Sequence, residues 1–234
     1  MENTDKELFT NRRDFLGKMM LGATALSLPS LGSLPLYAAT PVASATSVSD
    51  DPEAWINKIK GKHRLVLDVP EPHEIFPFAW AKVFLLTNEA TGVPEKDCGV
   101  VVVLRHNAIP YAMKDELWAK YKFGEVFKAP DPLTKAPATR NPFWQPKAGD
   151  FSVPGIGNVA IGINELQDSG VMFCVCNMAL TVYSAIVAQQ MGGQAEDVKK
   201  EWVAGLLPGI QVVPSGIWAV NRAQEKNCTY CFAG

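Results

Sequence analysis

The chain has three histidines, no surplus of charge of either sign and no unbroken apolar run long enough to cross a bilayer. Its formal net charge is −2, and over the later chain basic and acidic residues are interspersed. That leaves no electrostatic footprint for nucleic acid, and this partner class is set aside. There is no internal repeat and no second composition regime, so one domain is the economical reading. Glycine (18) and proline (17) punctuate the chain often without reaching a disordered composition. With 234 residues, 47% of them hydrophobic, a substantial core can form. Cysteine is present in an odd number, five, so at least one thiol has no intramolecular disulfide partner.

The first 45 residues are expected to be a targeting segment rather than part of the fold. A charged start is followed by a moderately apolar run, broken by Pro29 and Pro35, and then by small residues ending in "ASA" at Ala45. A membrane-spanning helix wants about 20 mostly apolar residues, which this run does not supply. "NRRDFL", residues 11 to 16, resembles the twin-arginine export signal, with Asn11 in place of the usual Ser or Thr. The resemblance implies passage through the Tat translocon in a folded state and a periplasmic or other extracytoplasmic destination. Such compartments permit disulfides. Residues 46–61 are expected to be a linker and 62–234 the folded domain.

Within that domain, strand and helix patterns alternate. "HRLVLDVP" ends at Pro70 and reads as a strand. "PFAWAKVFLLTNEATG" carries helical spacing and a glycine stop. The valine run in "GVVVVLRHNAIP" suits a strand buried on both faces. "VMFCVCN", "IQVVPSG" and the terminal "CTYCFAG" read as further strands, with helices between them. The expected fold is therefore α/β, three-layer α/β/α, with a mostly parallel sheet of about five strands. Residues 128–160 break the rhythm with six prolines. They read as a long excursion in which "NPFW" covers a pocket, reaches a neighbouring subunit, or belongs to a variable surface insertion.

Open parallel sheets gather functional groups beyond the carboxyl ends of their strands. His73, His106 and Cys176 follow the ends of three strands and are expected at that rim, whereas His63 begins a strand and belongs at the opposite one. Cys176 is also followed at once by a helix, whose amino-terminal dipole favours a thiolate. Cys174, two residues earlier, shares its face if the strand is extended, and reads better as core. Cys228 and Cys231 have C-x-x-C spacing, which suits a redox pair or a structural disulfide, though residues three apart on a straight strand face opposite sides. A four-thiolate metal site with Cys174 and Cys176 is a further reading, as is a metal held by His73, His106 and Cys176.

"GVMFCVCNMAL", "VVVVLRHNAIP" and "LLPGIQVVPSGIWAVNRAQEKN" together resemble the DsrE/DsrF-like family, over about residues 62 to 232 apart from the excursion. The resemblance implies the same three-layer fold, assembly as homo-trimers or hexamers, and sulfur carried as a persulfide on Cys176. Asn177 stands where many members have glycine, and "CTYC" is not part of the pattern. The expectation is an exported protein handling sulfane sulfur as a persulfide carrier or sulfurtransferase-like protein. His106 would tune Cys176, Asn107 or Asn177 would orient the bound group, and a donor or acceptor protein or a small thiol would be the partner. A Cys/His metal- or cofactor-binding protein and a non-catalytic oligomeric module are the alternatives, and the sequence identifies no cofactor.

Overall fold

The computed structural model describes residues 51–234. The export signal expected over residues 1–45 lies outside them. Five strands form one parallel sheet: β1 (His63–Val69), β2 (Cys98–Leu104), β5 (Met172–Cys176), β6 (Ile210–Val213) and β7 (Thr229–Phe232). Their order is β6-β5-β2-β1-β7, every pairing parallel. The all-buried β2 occupies the centre, where both faces are covered and a polar side chain would be desolvated. A separate two-residue hairpin, β3 (Ser152–Val153) with β4 (Gly157–Asn158), lies within the excursion.

Side-chain alternation splits the core into two unequal layers. Leu65, Leu67 and Val69 of β1 share a large cluster with Val100, Val102 and Leu104 of β2. This cluster packs beneath α2 (Phe76–Ala90), α3 (Asp115–Tyr121), α4 (Phe123–Val126), α5 (Ile163–Asp168), α6 (Asn177–Met191) and α7 (Ala195–Ala204). Val66, Val101, Val103 and Cys174 face the other way, onto α1 (Pro52–Ile56) and α8 (Gly216–Glu225). The result is the three-layer α/β/α arrangement that the strand–helix alternation predicts. Residues 52–59, expected as linker, instead form α1 and its exit, burying Trp55, Ile56 and Ile59 in the thin layer. Asp51 starts that helix by accepting hydrogen bonds from the amides of Glu53 and Ala54.

The proline-rich excursion belongs to this chain's own core. Phe143 of "NPFW" is fully buried and packs on Phe78 (4.2 Å between centroids), Tyr111 (5.3 Å) and Phe151 (5.3 Å). Asn141 is equally buried, with its amide group donating to the carbonyls of Tyr111 and Met113 and its oxygen accepting from the Phe143 amide. An asparagine satisfied on three sides pins the segment where periodic hydrophobicity cannot. Among the described residues no helix is long and apolar enough to cross a membrane.

Candidate functional site

Three of the sheet's four connections run through the thick layer, but the loop after β6 turns into α8 in the thin one. The neighbouring loop after β5 rises into α6 on the opposite face. Adjacent loops that diverge in this way open a crevice outside the carboxyl ends of the strands, the usual ligand position in such sheets. Cys176 lies there, at the last position of β5.

Its thiol is the N-cap of α6. The backbone is extended (φ −74, ψ 112), and the sulfur accepts a hydrogen bond from the Ala179 amide at 3.3 Å. A sulfur so placed meets unpaired amides and the positive end of a 15-residue helix. Leu104 pairs with Val175, and Arg105 and Cys176 directly follow these two residues. Only 6% of Cys176 is exposed, so access is limited to a compact reagent.

Arg105 is a cation that interacts electrostatically with this thiol. Its guanidinium grips Asp68 with both arms, Nε to Oδ1 at 2.6 Å and Nη2 to Oδ2 at 2.9 Å. The Tyr230 hydroxyl donates to Asp68 Oδ2 at 3.0 Å. The hydrogen bond to Asp68 is the main cause holding the Arg105 pKa above its usual range, and the charges of Asp68, Tyr230 and Cys176 add to it. Across the crevice, Ser215 caps α8 by accepting from the Trp218 amide. Gly216 follows because a side chain there has no room: its Cβ would stand 2.6 Å from Arg105 Cβ and 2.7 Å from Cδ.

A second polar chain occupies the thick-layer side of the same rim. The Arg105 amide donates to the Val69 carbonyl and the Ala108 amide to that of Pro70, tying the ends of β1 and β2 together. His106 Nδ1 lies 2.8 Å from Glu71 Oε1. Asn107 Nδ2 donates to Glu71 Oε2 at 2.7 Å, and the Tyr183 hydroxyl donates to Asn107 Oδ1 at 2.6 Å. The carboxylate-bound imidazole thus belongs to Glu71, and the charge beside Cys176 comes from Arg105. His73 is exposed and packs against Phe76 (5.1 Å between centroids). His63 begins β1 at the opposite rim. Asn177 opens α6, half-buried, and its carbonyl accepts from the Thr181 hydroxyl.

The other thiols have different surroundings. Cys174 is fully enclosed in the thin-layer core, and burial pushes its pKa far up, with Cys176 adding to the shift. Burial likewise raises Cys98, helped by Asp97 and Glu95, and Cys228. Cys228 and Cys231 are free thiols. Cys228 belongs to the thin-layer cluster and Cys231 packs against the other, since strand alternation turns them apart. The four-thiolate reading fails for the same reason. Among the described residues no three His, Cys, Asp or Glu side chains are arranged to hold a metal.

Asp68, Glu71, Arg105, Tyr183 and Tyr230 were not singled out by sequence reasoning. Asp68 carried the clearest signal, an acidic residue inside the apolar "LVLDVP". A cleft of about 1420 Å³ lies at the amino-terminal rim among Trp55, Lys58, Lys96, Cys98 and Ile210. Its thiol is the buried Cys98, with acidic neighbours that oppose ionisation. The carboxyl-terminal rim is therefore the better chemical candidate.

No family model matches the chain, and no curated protein matches it. A solved structure of a protein of unknown function from Methanobacterium thermoautotrophicum is similar at 18% identity, with a TM-score of 0.37. That match covers 73% of this chain and 99% of the other. It says nothing about activity.

Proposed function

We propose that this is an exported, DsrE-like protein that handles sulfane sulfur on Cys176, as a persulfide carrier or sulfurtransferase-like protein. The observation that carries the reading is the Cys176 sulfur itself. It caps α6 through the Ala179 amide, next to the Arg105 guanidinium, while Cys98, Cys174 and Cys228 are held as thiols by burial. A thiolate is both the nucleophile that accepts a sulfur atom and the leaving group that releases it. The narrow opening suits a single added sulfur atom better than a bulky mixed disulfide.

Intact-mass measurement of the protein, exposed to inorganic polysulfide and then freed of excess, is the test. One added sulfur atom on the wild type, absent from Cys176→Ser and retained by Cys174→Ser, is the expected result. Equal loading of wild type and Cys176→Ser would remove the proposal.

Homo-oligomeric assembly, as trimers or hexamers, is part of the same proposal. Met178, Val182 and Ile186 form an exposed apolar stripe at i, i+4 and i+8 of α6, and Trp80, Val83 and Leu86 are exposed on α2. Apolar patches of this kind mark interaction surfaces. Replacing Val182 and Ile186 by Glu is expected to reduce the sedimenting species to monomer with the fold intact by circular dichroism. Unchanged sedimentation would count against these faces.

A further inference from the structure

His106 has a left-handed backbone, φ +49, which few residues other than glycine adopt. Such a conformation persists where the surroundings enforce it, and here they do. Glu71 accepts at Nδ1, Asn107 fixes the other carboxylate oxygen, and Tyr183 fixes Asn107. The Tyr183 ring stands edge-on to the imidazole at 5.7 Å between centroids. An ionised carboxylate only accepts, so in the neutral imidazole the hydrogen resides on Nδ1 and Nε2 keeps its lone pair. The His106 side chain is 53% exposed, two residues beyond Leu104, whose strand partner Val175 immediately precedes Cys176.

We propose that Glu71 is a positioning residue fixing His106 as the Nδ1–H tautomer, and that His106 Nε2 takes the proton from a small thiol attacking sulfur held on Cys176. The proposal rests on the sulfur-handling reading and names its acceptor class. The acceptor R–SH gives its proton to Nε2, and R–S⁻ attacks the outer sulfur of the Cys176 persulfide. The new bond is R–S–SH, and the bond between that sulfur and Cys176 Sγ breaks. Cys176 leaves as a thiolate facing the Ala179 amide and Arg105, and His106 returns its proton to this thiolate or to water. No external oxidant or reductant is consumed. Glu71 from the end of β1 and Tyr183 from α6 face the imidazole, while neighbouring Arg105 is engaged with Asp68.

A free cysteine thiol with a pKa of about 8.5 is only about 3% ionised at pH 7, so a base can accelerate its attack by up to about thirtyfold. The gain must vanish once the acceptor ionises unaided. The experiment loads the full chain with inorganic polysulfide, confirms the added sulfur by intact mass, and follows its loss to free cysteine from pH 6 to about pH 10. At pH 7, His106→Gln is expected to slow transfer about tenfold and Glu71→Gln severalfold, with both rates meeting the wild type above about pH 9. Imidazole ¹⁵N spectra should show the Nδ1–H tautomer in the wild type and a mixture in Glu71→Gln. Variant rates equal to the wild type at pH 7, or slower by one constant factor at every pH, would overturn the proposal. So would an Nε2–H tautomer in the wild type, which needs no variant. Failure of Cys176 to load is seen before any kinetics and overturns both readings; normal loading with unchanged transfer overturns only this one.

Discussion

Arg105→Met is expected to destabilise the domain by about 3 kcal/mol and to slow alkylation of Cys176 by a small thiol reagent. The stability loss comes from what remains behind. Asp68 has a side chain only 4% exposed and would keep the Tyr230 hydroxyl but lose both guanidinium arms. An unpaired buried charge costs about 3–5 kcal/mol, and the low end applies because a quarter of the Arg105 side chain (25%) still meets water. Pairing Arg105→Met with Asp68→Asn should restore more than half of the loss, since the stranded charge is then gone. The chemical effect separates from the stability effect in that double variant. Reactivity of Cys176 should stay about fivefold down, as about 1 kcal/mol of attraction between guanidinium and thiolate is missing. Urea unfolding and alkylation rates at pH 7 measure the two. If the double variant reacts as fast as the wild type, Arg105 serves only to neutralise Asp68.

The second large effect lies far from the thiol. Phe143→Ala should cost about 3–5 kcal/mol, the range for removing a fully buried aromatic ring. Three aromatic neighbours, Phe78, Tyr111 and Phe151, would line the cavity. Leu133→Ala, in the same proline-rich segment but 51% exposed, should change stability by less than about 0.5 kcal/mol. A drop in the unfolding midpoint for Phe143→Ala alone would establish that the excursion is anchored at "NPFW". A loss below about 1 kcal/mol would mean that the segment rides on the surface.

The sheet was legible from the chain because its signals are local. A run of four valines, strands ended by Pro70 and Pro214, and helix stops such as Gly192 report their own conformation. The rim position of Cys176 followed from strand–helix alternation and one rule of parallel sheets. The excursion was opaque because its order comes from Asn141 and Phe143 reaching partners about 30 residues earlier.

Sequence alone determined the architecture and singled out Cys176 as the thiol at a strand end before a helix, since period and adjacency along the chain decide both. Tertiary structure decided which charge accompanies that thiol. Arg105 is the cation that interacts electrostatically with it, with its guanidinium gripped by Asp68, while Glu71 holds the His106 imidazole. Those pairings join side chains more than 30 positions apart through the register of β1 against β2, and no local pattern encodes such a register.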